Sequence, residues 1–161
     1  MWRWPVLALL ALYSLWLIFS YDYHFIDHVN LAIHETGHLV FTPFGRTMHF
    51  LGGTILQLGF PLAFVVYFWR RAERFEAGVA MIWFAESLMY TAYYMSDARA
   101  LELPLVGGGM HDWNVLFRQW GVLDRAETIA GLVHVAAALV LVLTLLYMAD
   151  ETVRVTRPDP E

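Results

Sequence analysis

The chain has no cysteine, so disulfides, thiolate-held metals and thiol catalysis are excluded together. It also has no lysine. All ten basic residues are arginines, spread along the sequence and outnumbered by 15 acidic ones. No basic patch is dense enough for nucleic acid. Any metal in this protein must be held by His, Asp or Glu.

What the sequence has in excess is apolar surface. Of 161 residues, 59% are hydrophobic and 16% aromatic, whereas a soluble domain is usually about 45–50% apolar. Five apolar runs stand out: Trp4–Phe19, Phe25–Phe44, Phe50–Trp69, Ala77–Met95 and Thr128–Met148. Each is about long enough to cross a ~30 Å hydrocarbon core as a helix. Met1-Trp2-Arg3 and the first run resemble a signal peptide, but no small-x-small cleavage site follows before Ser20-Tyr21-Asp22. The first run therefore reads as an uncleaved span.

The expected fold is all-α: a polytopic membrane protein of about five transmembrane helices. Residues 1–150 form a single transmembrane domain, followed by a short charged tail over 151–161. Between helices four and five, about Ser96–Glu127 is too apolar and aromatic for disorder and reads as a re-entrant or interfacial loop. The arginines divide equally between the two faces. The tight Arg70/Arg71/Arg74 cluster favours its own side as cytoplasmic. The location implied is an integral, multi-pass protein of a bacterial-type inner or plasma membrane.

One segment carries chemistry. His34-Glu35-Thr36-Gly37-His38 is an HExxH pentapeptide inside the second apolar run. At helical pitch the two imidazoles share a face, with Glu35 offset by about 100°. Two histidines and a glutamate at membrane depth are costly unless a metal, a proton or water occupies them. Catalytic zinc takes three protein ligands and leaves a position for water. His34 and His38 supply two, and Glu35 suits a general base acting on the zinc-bound water.

The third ligand is sought on the face where the second span ends. There the fourth span finishes at Asp97, and Gly107-Gly108-Gly109-Met110-His111-Asp112-Trp113 emerges. Glycines allow the close backbone approach that an inward-dipping loop needs. His111 is the chosen ligand. Asp112 is either the alternative ligand or the carboxylate orienting an imidazole, Asp97 is the main rival, and His49 is a reserve. The bland alternative is that His111-Asp112-Trp113 caps the next helix.

Other polar groups have structural readings. Glu86 is expected to be a hydrogen-bonded packing residue, and so is His134. His24, Asp27 and His28 are expected at the opposite membrane surface, solvated or interfacial. Gly52-Gly53 followed by Gln57, Gly59 and Pro61 reads first as close helix packing, second as irregular backbone beside a cavity.

A membrane-embedded HETGH on an early span, a glycine-bearing segment after it and a later Pro/Gly-containing motif resemble the site-2 protease family of intramembrane zinc metalloproteases. That resemblance implies a minimal or divergent member. It implies Zn2+ on His34 and His38, Glu35 as base, and a membrane-anchored protein or peptide as substrate. The family's Leu-Asp-Gly motif is absent: Leu103-Pro104-Leu105-Val106-Gly107-Gly108 lacks the aspartate, and Leu123-Asp124 is followed by Arg125. The expected function is a membrane-embedded zinc metallopeptidase. The rivals are a non-catalytic metal-binding scaffold or pseudoprotease, a metal or proton transporter using Glu86, and a lipid-amide hydrolase.

Overall fold

The computed structural model describes residues 2–106 and 109–156. These form helices and, among the described residues, no strand. Helix α1 is Arg3–Ser20, α2 Phe25–Phe41, α3 Arg46–Arg70, α4 Arg74–Ser96, α5 Asp112–Gln119 and α6 Ala126–Thr156. Short 3-10 turns at Thr42–Phe44 and Leu123–Arg125 lead into α3 and α6. Each apolar run of the sequence has thus become a helix.

Three stretches are long and apolar enough to cross a membrane: Arg3–Ser20, Arg46–Arg70 and Leu123–Thr156. Their outward faces suit hydrocarbon. Leu9, Leu12, Leu15 and Phe19 on α1 are exposed, as are Leu132, Val135, Leu139, Leu143 and Leu146 on α6. That three-and-four spacing is one helical stripe, and it is a stripe that water would not favour. Helix α6 continues through Asp150 to Thr156, where the sequence suggested a charged tail, and Arg154 pairs with Asp150 at 2.8 Å. Residues 157–161 of that tail lie outside the described residues.

Packing places the helices in a row. Helix α2 lies on α3, α3 on α4, α4 on α6, and α6 on α1. The α2–α3 contact is close because Gly37 faces Gly52 and Gly53. A Cβ on Gly37 would overlap the Gly52 carbonyl, and a Cβ on Gly53 would fall 2.5 Å from His34 Nε2. Helix α3 runs unbroken through the glycine pair, so the packing reading of these glycines holds. They let α2 approach closely and leave room for the first imidazole of the pentapeptide.

Helix α5 closes one end of the row. Trp113, Leu116 and Phe117 are buried against Phe50 of α3, Met95 of α4, and Ala126 and Ala130 of α6. The Asn114 side chain donates to the Ala98 carbonyl at 2.7 Å. This amphipathic helix therefore holds its first residue, Asp112, in a fixed place beneath α2. The preceding connector is fastened at Asp97, whose carboxylate accepts the backbone N–H groups of Glu102 and Leu103 at 2.9 and 3.1 Å. Gly107 and Gly108, the centre of the glycine turn expected from sequence, lie outside the described residues.

Candidate metal centre

Helical pitch brings the two imidazoles of α2 together, with ring centroids 4.7 Å apart. Asp112 reaches them from α5. One carboxylate oxygen, Oδ2, lies 2.8 Å from His34 Nε2 and 3.2 Å from His38 Nε2. His34, His38 and Asp112 form a group able to hold a metal ion. His34 and Asp112 are buried, at 4% and 5% exposure.

The hydrogen bonds behind the rings decide which nitrogen carries the proton. Gln57 on α3 donates its amide to the Ser87 carbonyl at 3.0 Å and to Thr91 Oγ1 at 3.3 Å. A backbone carbonyl can only accept, so the amide nitrogen must face Ser87 and the amide oxygen must face His34. His34 Nδ1 therefore donates to Gln57 Oε1 at 2.9 Å. His38 Nδ1 likewise donates to the His49 carbonyl at 2.8 Å. In a neutral imidazole the other nitrogen is an acceptor. Two lone pairs and a carboxylate oxygen then converge on one point.

Three acceptors facing one another repel unless positive charge sits among them. Protons on both rings would serve, and so would one divalent cation. Two histidines and one carboxylate are a common zinc set, and tetrahedral ligands at zinc bond lengths stand about 3.3 Å apart. The observed 2.8 and 3.2 Å need only small adjustment. Gln57 and the His49 carbonyl are the outer partners such a site requires to orient its imidazoles. The residues fit a metal.

Burial pushes the Asp112 carboxyl up, but hydrogen bonds and charge from the His34 and His38 rings, when these carry a proton on Nε2, more than offset this and hold it below its ordinary value. An anion stands where a third ligand is needed.

The structure does not bring His111 into this group. Its Nδ1 accepts the Asn114 backbone N–H at 3.3 Å, which makes it the N-cap of α5. Its Nε2 faces Asp97 at 3.5 Å, and its ring stacks on Tyr94 at 4.0 Å. Burial pushes this imidazole's basicity down, against the pull of Asp97. Asp97 is engaged with His111 and the connector, and His49 offers the site only its carbonyl. Because His111 does the capping, Asp112 is free to turn toward the histidines.

Glu35 sits beside the group, half-buried. It opens into a cavity of about 520 Å³ whose walls include Leu31, His34, Thr54, Tyr90 and Tyr94. Leu103–Val106 line the same cavity from the connector. The sequence marked Gln57 without its part in orienting His34, and it did not mark Tyr94. A lone glutamine in an otherwise apolar run was a usable signal for the first. No local signal marked the second among several tyrosines.

A second group, His24, Asp27 and Glu86, is also close enough to share an ion. Its placement corrects the expectation that Asp27 is solvated or interfacial; His24 is half-buried and His28 exposed. Asp27 and Glu86 are fully buried. Tyr21 donates to Asp27 Oδ1 at 2.8 Å and the His24 backbone N–H to Oδ2 at 2.8 Å. Asn30 donates to both Glu86 oxygens at 3.1 and 2.8 Å, while its own oxygen accepts from Trp83 and Ser87. The Asp27 and Glu86 carboxyls also meet each other, so a proton or an ion between them completes the group. The network fastens the start of α2 to α4. Glu86 is thus the hydrogen-bonded packing residue expected, and His134 bonds the Ile18 carbonyl at 3.0 Å.

No family model, curated protein or solved structure matches the chain.

Proposed function

We propose that this protein is a membrane-embedded zinc metallopeptidase of the site-2 protease type, acting on membrane-anchored proteins or peptides. His34, His38 and Asp112 hold the metal, and Glu35 is the general base. The observation that carries this reading is the convergence of buried His34, half-buried His38 and buried Asp112 beside a cavity into which Glu35 opens.

In this reading α2 and α4 cross the bilayer together with α1, α3 and α6. Several of their polar side chains are buried among the helices: Asp27, Asn30 and His34 on α2, Glu86 and Ser87 on α4. That is the arrangement intramembrane polar groups require.

Zinc, when bound, polarises the substrate carbonyl and makes water acidic enough to attack it near neutral pH. The chain's residues do the rest. Glu35 takes a proton from the attacking water and returns it to the departing amine. Gln57 and the His49 carbonyl hold the imidazoles in the one tautomer that leaves both Nε2 atoms free. Leu103–Val106 and the apolar wall limit bulk water around the reacting bond. A wall containing Leu31 and Tyr90 suits an apolar substrate side chain.

The test is cleavage of a panel of membrane-anchored reporter peptides by the purified protein in lipid vesicles. Zinc-loaded protein is expected to cut at least one of them. Chelation should stop the reaction, and added zinc should restore it. Cleavage that survives complete removal of metal, or no cleavage at all by zinc-loaded protein, contradicts the proposal.

A further inference from the structure

The wall of the cavity holds a hydroxyl with an unused hydrogen. Tyr94 lies on α4, its ring edge-on to His34 at 6.0 Å and stacked on His111 at 4.0 Å with 24° between the planes. Its oxygen accepts the backbone N–H of Asp112 at 3.2 Å. A phenol has one hydrogen to donate as well as lone pairs to accept with. Among the described residues nothing takes that hydrogen. The group is therefore clamped at ring and oxygen, sits beside the triad, lines the cavity that Glu35 also lines, and retains one free donor.

The other polar groups in the wall are differently placed. Thr91 donates its hydroxyl to the Ser87 carbonyl at 2.9 Å, and Gln57 uses its amide on Ser87 and Thr91. Tyr90 and Thr54 also line the cavity, but neither is hydrogen-bonded to a residue of the triad. Among the described residues, Tyr94 alone combines a free hydrogen with a direct tie to Asp112.

We propose that Tyr94 is a catalytic residue, its O–H donating to the substrate oxygen that gains charge in the reaction. This rests on the peptidase reading above. Water adds through its oxygen to the carbonyl carbon and gives one proton to Glu35. The carbonyl π pair moves onto the oxygen, which becomes anionic and accepts the Tyr94 hydrogen bond. On collapse the C=O re-forms, the C–N bond breaks, and the nitrogen takes the proton from Glu35. The products are a carboxylic acid and an amine, and Tyr94 is unchanged. A preorganised donor aimed at a developing oxyanion in a water-poor site is a large catalytic contribution. The stack against His111 supplies that preorganisation, which gives the histidine before Asp112 a purpose besides capping.

Tyr94→Phe keeps the ring and its stack and deletes only the hydroxyl. Because that hydroxyl also holds the Asp112 backbone, activity alone would not separate catalysis from positioning. Four quantities are needed: zinc per chain, kcat, KM, and affinity for two metal-directed peptide inhibitors. One inhibitor is phosphinic, with an anionic tetrahedral centre; the other is a thiol without one. Expected for Tyr94→Phe is unchanged zinc, kcat lower by about 10²–10³-fold, and phosphinate binding at least about tenfold weaker. KM and thiol binding should stay near wild type. Wild-type kcat and phosphinate affinity in the variant would overturn the assignment. So would equal loss of zinc and of both inhibitors, which would make Tyr94 only a prop for Asp112. A wild-type protein that cuts no reporter and binds neither inhibitor overturns the peptidase reading itself, and this inference with it.

Discussion

Glu35→Gln is expected to eliminate peptide hydrolysis while leaving zinc in place. The substitution conserves size, and Glu35 is no member of the triad, so neither the fold nor the metal depends on its charge. What the amide cannot do is accept a proton from water and hand it on to the amine. A positioned general base contributes about 10²–10⁴-fold, and the variant should lose at least that much kcat. Zinc measured on the same preparation must equal that of wild type. A scaffold in which the metal only staples α2 to α5 makes the opposite forecast, because Glu35 would then be dispensable. Full activity in Glu35→Gln would end the mechanism outright.

Asp112→Ala and His111→Ala are expected to separate sharply, although the two residues are neighbours. Losing Asp112 removes the only anion of the triad and leaves two lone pairs facing each other. Outer partners of a metal site are typically worth 10–100-fold in affinity, so removing a ligand should cost more than about 10²-fold. Helix α5 should stay docked, since Trp113, Leu116 and Phe117 hold it independently. His111→Ala removes a helix cap, a loss of about 1 kcal/mol in stability, and the stack on Tyr94. Its zinc affinity should remain within about tenfold of wild type, because it is a neighbour of the site and not a ligand. Titration of both variants against a zinc-buffered indicator reads this directly. The reverse ranking would restore His111 as the ligand.

That pair also marks where the sequence stopped being legible. The helices could be read because long apolar runs announce themselves, and HETGH because helical pitch alone puts its histidines on one face. The third side chain depended on a one-residue register at the start of α5. Had Asp112 capped that helix, His111 would have pointed toward α2; since His111 caps it, Asp112 does. Either residue is chemically able to play either part, and only the docking of α5 chooses. Asp27 failed for a related reason. Near the end of an apolar run it looks like a surface residue, and nothing local reveals that Tyr21, Asn30 and Glu86 will surround it. Gln57 was visible as a polar intruder in α3, but its task needed the Ser87 carbonyl on α4 to orient its amide. In each case local sequence marked a polar residue, and tertiary contacts determined its role.

Whether His34, His38 and Asp112 bind a metal together is decided by zinc X-ray absorption on the purified wild-type protein. Expected is one zinc per chain with two imidazole nitrogens and a carboxylate oxygen at about 2.0–2.2 Å and one further light-atom ligand. Absence of stoichiometric zinc in protein purified with the metal present, or a shell without paired imidazoles, would contradict it.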